Sequence, residues 1–153
     1  MIYLKDKQTN EIKTFEVDSY LQLSKNIRNQ YIEATEEEIT SYLLENAKQN
    51  KIKEIEQAKT NAIYAPIEYN GNTFFTTEKA NSNILGAIIL DQASYNWLDA
   101  SGNPISMTVD DLKALAGLIA TQRSLVYNRE ATKLKSIKNA RTVAGVNRIS
   151  WET

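Results

Sequence analysis

The chain reads as an α+β protein in which short antiparallel β-hairpins pack with a buried helix and long helices. Three observations predict this. Brief β-leaning runs come in pairs around turn residues, as in "IEYNGNTFF", where Asn70 and Gly71 both tolerate the positive φ of a tight hairpin turn. The two later pairs run straight into a threonine and a helical pattern, at "TTEKANSNILGAIIL" and "MTVDDLKAL". Two proline-free stretches, about 35–64 and 109–139, carry apolar residues at helical spacing over lengths no strand reaches.

Taken in order, Ile2–Leu4 and Ile12–Val17 flank a polar turn and predict a first hairpin. "DSYLQLSKNIRNQ" predicts one short helix, with Asp18 or Ser19 as its cap and Leu23 and Ile27 at i,i+4. Tyr31–Ile32 follows as a brief extended segment. Thr35 and Glu38 then form a capping box, and Glu36 and Glu37 lie where a helix start favours negative charge. Ile39, Leu43, Ala47, Ile52, Ile55, Lys59 and Ala62 mark a thin inner stripe, against an outer face dominated by Lys48, Gln49, Asn50, Lys51 and Lys53. This connecting helix ends before Ala65–Pro66, because a residue preceding proline is pushed out of the helical region.

Ile67–Tyr69 and Thr73–Phe75 predict a second hairpin, after which Thr76 or Thr77 caps a helix through Leu90. With "ILGAIIL" in it, that helix is expected to be the most buried element of the fold. The grammar then repeats: Tyr95–Leu98, the turn "DASGNP", Ile105–Met107, and a helix opened by Thr108 with Asp111. The two hairpins are expected to pair into one small antiparallel sheet. From Val109 a helix continues to about Asn139, roughly 45 Å at 1.5 Å per residue. Its stripe is Leu112, Leu115, Ala116, Ile119, Val126, Leu134 and Ile137; Gln122 and Arg123 interrupt it, suggesting a kink or a partner-facing surface. Thr142 caps a short terminal turn, and Trp151 folds back on the core. These elements suggest three segments: a hairpin unit at 1–34, a connecting helix at 35–64 and a C-terminal α+β domain at 65–153.

Composition bounds the chemistry. A chain of 153 residues with 42% hydrophobic and 24% charged residues has globular proportions. At that size it can bury roughly 70% of its unfolded surface. There is no cysteine, so disulfides, thiolate nucleophiles and sulfur-ligated zinc are excluded. There is no histidine, so catalysis would rest on carboxylates, lysine or tyrosine alone. No enzyme, cofactor or metal is expected. "MIYLKDKQTNEIK" is too polar for a signal peptide and no apolar run reaches membrane-spanning length. A net charge of −1 exerts no global pull on nucleic acid or membrane.

Two local features remain as candidate sites. Asp110 and Asp111 are an acidic pair, but neighbouring helical side chains diverge by about 100°, which favours capping and dipole roles over a joint metal or acid/base role. From Arg123 to Arg148, seven basic residues stand against Glu130 alone. The segment reads first as a solvated helix face with cations favourably placed near its carboxy end. As a site, Arg123, Arg129, Lys133, Lys135, Lys138 and Arg141 are the candidate partner-binding residues, for an acidic protein surface ahead of nucleic acid phosphates. No aromatic platform interleaves these charges, as a single-strand binder would need.

The block Lys53–Trp151 resembles an uncharacterised domain family of small tailed-phage and prophage proteins, often described as tail or tail-fibre proteins. The resemblance rests on "IEYNGNTFFTT", "NILGAIIL", "YNWLDASGNPISMTVDDLKAL", "LKSIKNARTV" and a terminal "ISW", in that order. The leader, "MIYLKDKQTNEIKTFEV…ATEEEI", is similar to that of small tail-fibre assembly proteins, departing from it at Tyr20–Gln30. The resemblance transfers no catalytic residues. It implies a non-enzymatic tail-associated protein, either a fibre assembly chaperone or a structural tail component. Its expected partner is a tail fibre or other tail protein, with homo-oligomers a further mode. Its expected location is the host bacterial cytoplasm during assembly, or the virion tail. The alternative from another class is a small nucleic-acid-binding regulator that uses the basic C-terminal helix.

Overall fold

Turn chemistry and helix caps decide where the chain changes direction. In a computed structural model that describes residues 1–152, the chain divides into two compact units, with breaks inside both long helices. One holds Met1–Lys51 and Ile137–Ile149; the other holds Ile52–Ser136 and the chain end from Ser150. The division differs from the three segments suggested by the sequence, because each long helix is continuous across a unit boundary.

In the first unit, β1 (Ile2–Asp6), β2 (Ile12–Phe15) and β3 (Tyr31–Glu33) form an antiparallel sheet of order β2-β1-β3. Ile2 stands opposite Phe15, and Leu4 is opposite both Lys13 and Glu33. The hairpin turn is organised by Asp6, whose Oδ1 accepts from the amides of Gln8 (2.8 Å) and Thr9 (3.2 Å). These amides, with Lys13 at 3.3 Å, hold the Asp6 carboxyl below the usual aspartate range. Two short helices follow instead of one: α1 (Val17–Leu21), preceded by Glu16, and α2 (Lys25–Arg28), capped by Ser24. Neither Asp18 nor Ser19 is the cap. Ser24 breaks the expected single helix by turning its hydroxyl onto the Ile27 amide.

α3 (Glu36–Ile63) starts on the expected capping box. The Thr35 amide donates to Glu38 Oε2 at 3.0 Å, and the Glu38 amide donates to Thr35 Oγ1 at 3.2 Å. Lys5 reaches the same carboxylate at 2.7 Å, tying the helix start to β1. One outer-face assignment is overturned: Lys51 is only 9% exposed, on the side of the fully buried Ile55 four residues on. Its long methylene stem can cover apolar surface as an aliphatic side chain would. α6 (Val143–Asn147) begins at Thr142, whose hydroxyl accepts the Gly145 amide, and seats the buried Val146.

The second unit is built from β4 (Ile67–Tyr69), β5 (Asn72–Phe74), α4 (Glu78–Leu90), β6 (Tyr95–Leu98), β7 (Pro104–Met107) and most of α5 (Val109–Asn139). Alternation along the strands sends Phe74 and Met107 into a core with Ile84 and Ala87 of α4 and Leu112, Leu115 and Ile119 of α5. Fully burying one such leucine or isoleucine contributes about 1.5–3 kcal/mol. Thr77, not Thr76, caps α4. Thr76 is fully buried and donates to the carbonyls of Ile63 and Ala65. Trp151 is buried, as expected of a residue folding back on the core.

Three expectations for this unit are corrected. The hairpins stay as separate two-stranded sheets, β4-β5 and β6-β7. α4 is not the most buried element; it buries Ile84 and Ala87 while leaving Leu85, Ile89 and Leu90 exposed, because the core lies on one side of it. α5, one continuous helix, buries more side chains than α4, among them Leu112, Leu115 and Ile119. At Gln122 it continues unbroken and the side chain is turned inward: Nε2 donates to the carbonyls of Ala62 (2.7 Å) and Ala65 (3.1 Å), at the end of α3.

Candidate functional site

The acidic pair at the start of α5 is built for capping. The Thr108 amide donates to Asp111 Oδ2 at 2.9 Å, the Asp111 amide returns to Thr108 Oγ1 at 3.1 Å, and the Tyr69 hydroxyl donates to Asp111 Oδ1 at 2.9 Å. The Thr108 hydroxyl and amide, then Tyr69, hold the Asp111 carboxyl below its ordinary range. Asp110 points elsewhere, fully open to water beside Lys113. In "DASGNP", Asp99 Oδ1 accepts from the amides of Ser101 (2.9 Å) and Asn103 (2.7 Å), and Gly102 takes a φ of 84°. Hydrogen bonds from Asn103 are the main reason the Asp99 carboxyl is also held low. Among the described residues no three acidic side chains gather where a metal could sit.

The basic segment is divided in use. Arg123 is half-buried, with Nη2 donating to the Thr76 carbonyl at 3.1 Å and lying 3.7 Å from Glu78. The Arg129 guanidinium lies 5.5 Å from the centre of the Trp151 ring. Lys133 is 9% exposed. Lys135, Lys138 and Arg141 are exposed, but Lys135 belongs to the second unit whereas Lys138 and Arg141 belong to the first. Arg123, Arg129, Lys133 and Lys135 lie together on α5 in the second unit; only the last of them is exposed without a packing role evident in the geometry.

A concave surface lies elsewhere in the second unit, and hairpin geometry explains it. A two-residue turn pairs Tyr69 with Asn72, so the ladder bonds fall there and at Ile67–Phe74. Alternation then turns the amide and carbonyl of Thr73 to the outer edge of β5. In the other hairpin the Asp99 amide donates to the Asn103 carbonyl at 3.0 Å. The same alternation places ladder bonds at Trp97–Ile105 and Tyr95–Met107, and turns Asn96, Leu98 and Ala100 to the outer edge of β6. Pro104, which has no amide to give, stands opposite Leu98, where the ladder requires none.

The two edges meet once. The Ala100 amide donates to the Thr73 carbonyl at 2.8 Å. Beyond that bond a groove of about 640 Å³ opens, with Phe74 and Phe75 on one side, Tyr95 to Leu98 on the other, and Ile84, Ala87 and Leu90 of α4 lining it. No lining side chain carries a charge. Phe75, Leu90 and Leu98 are exposed at its rim, and Leu85 and Ile89 are exposed on another face of α4.

A family model described as a domain of unknown function (DUF4376) matches residues 46–150, more than half of the chain. The chain belongs to this family. No curated protein and no solved structure matches it. The DUF4376 span contains both hairpins, α4, the groove between them and the basic segment. Sequence reasoning missed the groove because it took an apolar helix to be buried on every side. One signal that α4 is open on one side was present: in "ILGAIIL", Ile84, Ala87 and Ile88 share one helical face, whereas Leu85 and Ile89 share another.

Proposed function

We propose that this DUF4376 chain is a non-enzymatic tail-associated protein of a phage or prophage, a fibre assembly chaperone or a structural tail component, acting by protein–protein contact. The observation that carries the reading is the exposed apolar rim of Phe75, Leu90 and Leu98 beside the groove. Single exposed apolar side chains are ordinary, but a contiguous apolar surface beside a groove marks an interaction site. The order of motifs from "IEYNGNTFFTT" to "ISW" supports the tail assignment. A sequence without histidine or cysteine, and aspartates occupied in caps and turns, support a role without catalysis.

The partner in this reading is a tail fibre or other tail protein met in the host cytoplasm during assembly. Among the described residues no helix is long and apolar enough to cross a membrane. A nucleic-acid-binding regulator draws support from exposed Lys135, Lys138 and Arg141, and less from Arg123, Arg129 and Lys133, which serve packing. Coexpression with a C-terminal fibre fragment tests the reading. The wild-type chain copurifies, and Ile89→Lys with Leu90→Lys does not. Particle mass spectrometry then separates component from helper. Failure to copurify together with absence from particles, or DNA retention that falls steeply with salt, overturns it.

A further inference from the structure

The free strand edges of this protein are not alike. β2 carries Lys13, β3 carries Glu33, β4 carries Glu68 and β7 begins with Pro104. Charges and prolines on an edge are the usual means of refusing another strand. β5 (Asn72, Thr73, Phe74) and β6 (Tyr95 to Leu98) carry neither. These two are also the strands whose outer edges face the same groove, joined at one end by the bond from Ala100 to Thr73.

We infer that the groove is a slot for one extended, uncharged segment of a partner protein, apolar at alternate positions, which enters between β5 and β6 and pairs with the open edge of β6. Each component of the site specifies that occupant. The outward amides and carbonyls of Asn96 and Leu98 call for a backbone in strand conformation. The lining of Ile84, Ala87 and Leu90 calls for apolar side chains every second residue, the spacing of one strand face. A lining without charge leaves a charged side chain on the incoming strand with no counter-charge, so a neutral segment is the electrostatic match.

A second copy of this chain fills the slot poorly. Its own uncharged edges are the walls of an identical slot, and each other strand edge brings Lys13, Glu33, Glu68 or Pro104. The assignment of the segment to a tail protein rests on the function proposed above; the slot itself rests on the strand geometry.

The test uses the full chain, isotopically labelled, and a capped heptapeptide in which serine or threonine alternates with valine. Binding is expected to shift the amide resonances of residues 72–75, 84–90 and 95–98, and to slow hydrogen exchange at Asn96 and Leu98 at least tenfold. The same peptide methylated on all its internal backbone nitrogens should bind at least tenfold more weakly, since it cannot donate to a strand edge. Leu98→Lys, at a position 62% exposed and therefore tolerant, should weaken the unmethylated peptide at least tenfold without changing the melting temperature. Equal binding of both peptides, no binding at millimolar peptide, or a self-associated chain whose shifts already match the bound state would each overturn the inference. The two readings fail separately. A fibre fragment that copurifies equally with wild type and Leu98→Lys removes the slot and keeps the tail association. A peptide that pairs as expected while no tail protein copurifies does the reverse.

Discussion

α4 and most of α5 lie in the same unit and meet in one core, yet they divide burial against expectation. α4 carries the densest apolar run in the chain and buries only Ile84 and Ala87. α5 has polar residues at Gln122, Glu130 and Lys133 along its inner stripe and still buries Leu112, Leu115, Ile119, Val126 and Ile137. The difference lies in what each face meets. Polar interruptions on α5 are answered, Gln122 by the carbonyls of Ala62 and Ala65 and Glu130 by Lys59 at 2.8 Å. Apolar residues on the outer face of α4 are answered by nothing within the described residues. Apolar content alone therefore does not report burial; complementarity does.

Substitutions can break or sharpen this contrast. The largest effect is expected from Leu112→Ala on α5, fully buried, at a cost of about 2–5 kcal/mol in urea unfolding. Thr76→Val removes the buried hydroxyl that serves the end of α3 and should cost about 1–3 kcal/mol by the same measurement. Thr108→Ala deletes the cap of α5 and should cost about 1 kcal/mol. A subtler effect concerns pH. Asp111 and Asp99 are held below their ordinary range when folded, so their contribution is complete above the unfolded value of about 3.9 and is lost as pH falls through the lower folded values. A melting curve between roughly pH 5 and pH 2 should slope downward with acidity, and Asp111→Asn should flatten that slope. The smallest effect belongs to Ile89→Ala, 82% exposed, which should stay within about 0.5 kcal/mol. Were it to cost as much as Ile84→Ala, the outer face of α4 would be covered in solution and the contrast with α5 would collapse.

Local chemistry was the legible part of the sequence. Thr35 with Glu38, Thr108 with Asp111, Asn70 with Gly71 and Asp99 in its turn each act within a few residues of themselves, and the structure places them as their types require. Relations between elements were not legible. Whether two hairpins join into one sheet depends on how far their edges diverge beyond Ala100 and Thr73, and no residue encodes that distance alone. The basic segment read as one surface because charge along a helix is visible in sequence, whereas the Thr76 carbonyl taken by Arg123 and the ring beneath Arg129 are not. The candidate site emerged from the same blind spot: it is the space left where two expected neighbours fail to pair.

The two ends of α3 also differ in when the chain can write them. Its start depends on Thr35 and Glu38, three residues apart, and is available as soon as that short stretch exists. Its final carbonyls wait for Thr76 and for Gln122, a partner 60 positions beyond Ala62. During folding the first turn can therefore form early, while the last turn frays until α5 arrives. On the ribosome, the last of the bonds that hold the end of α3 can form only after the residues that build the groove have already been made.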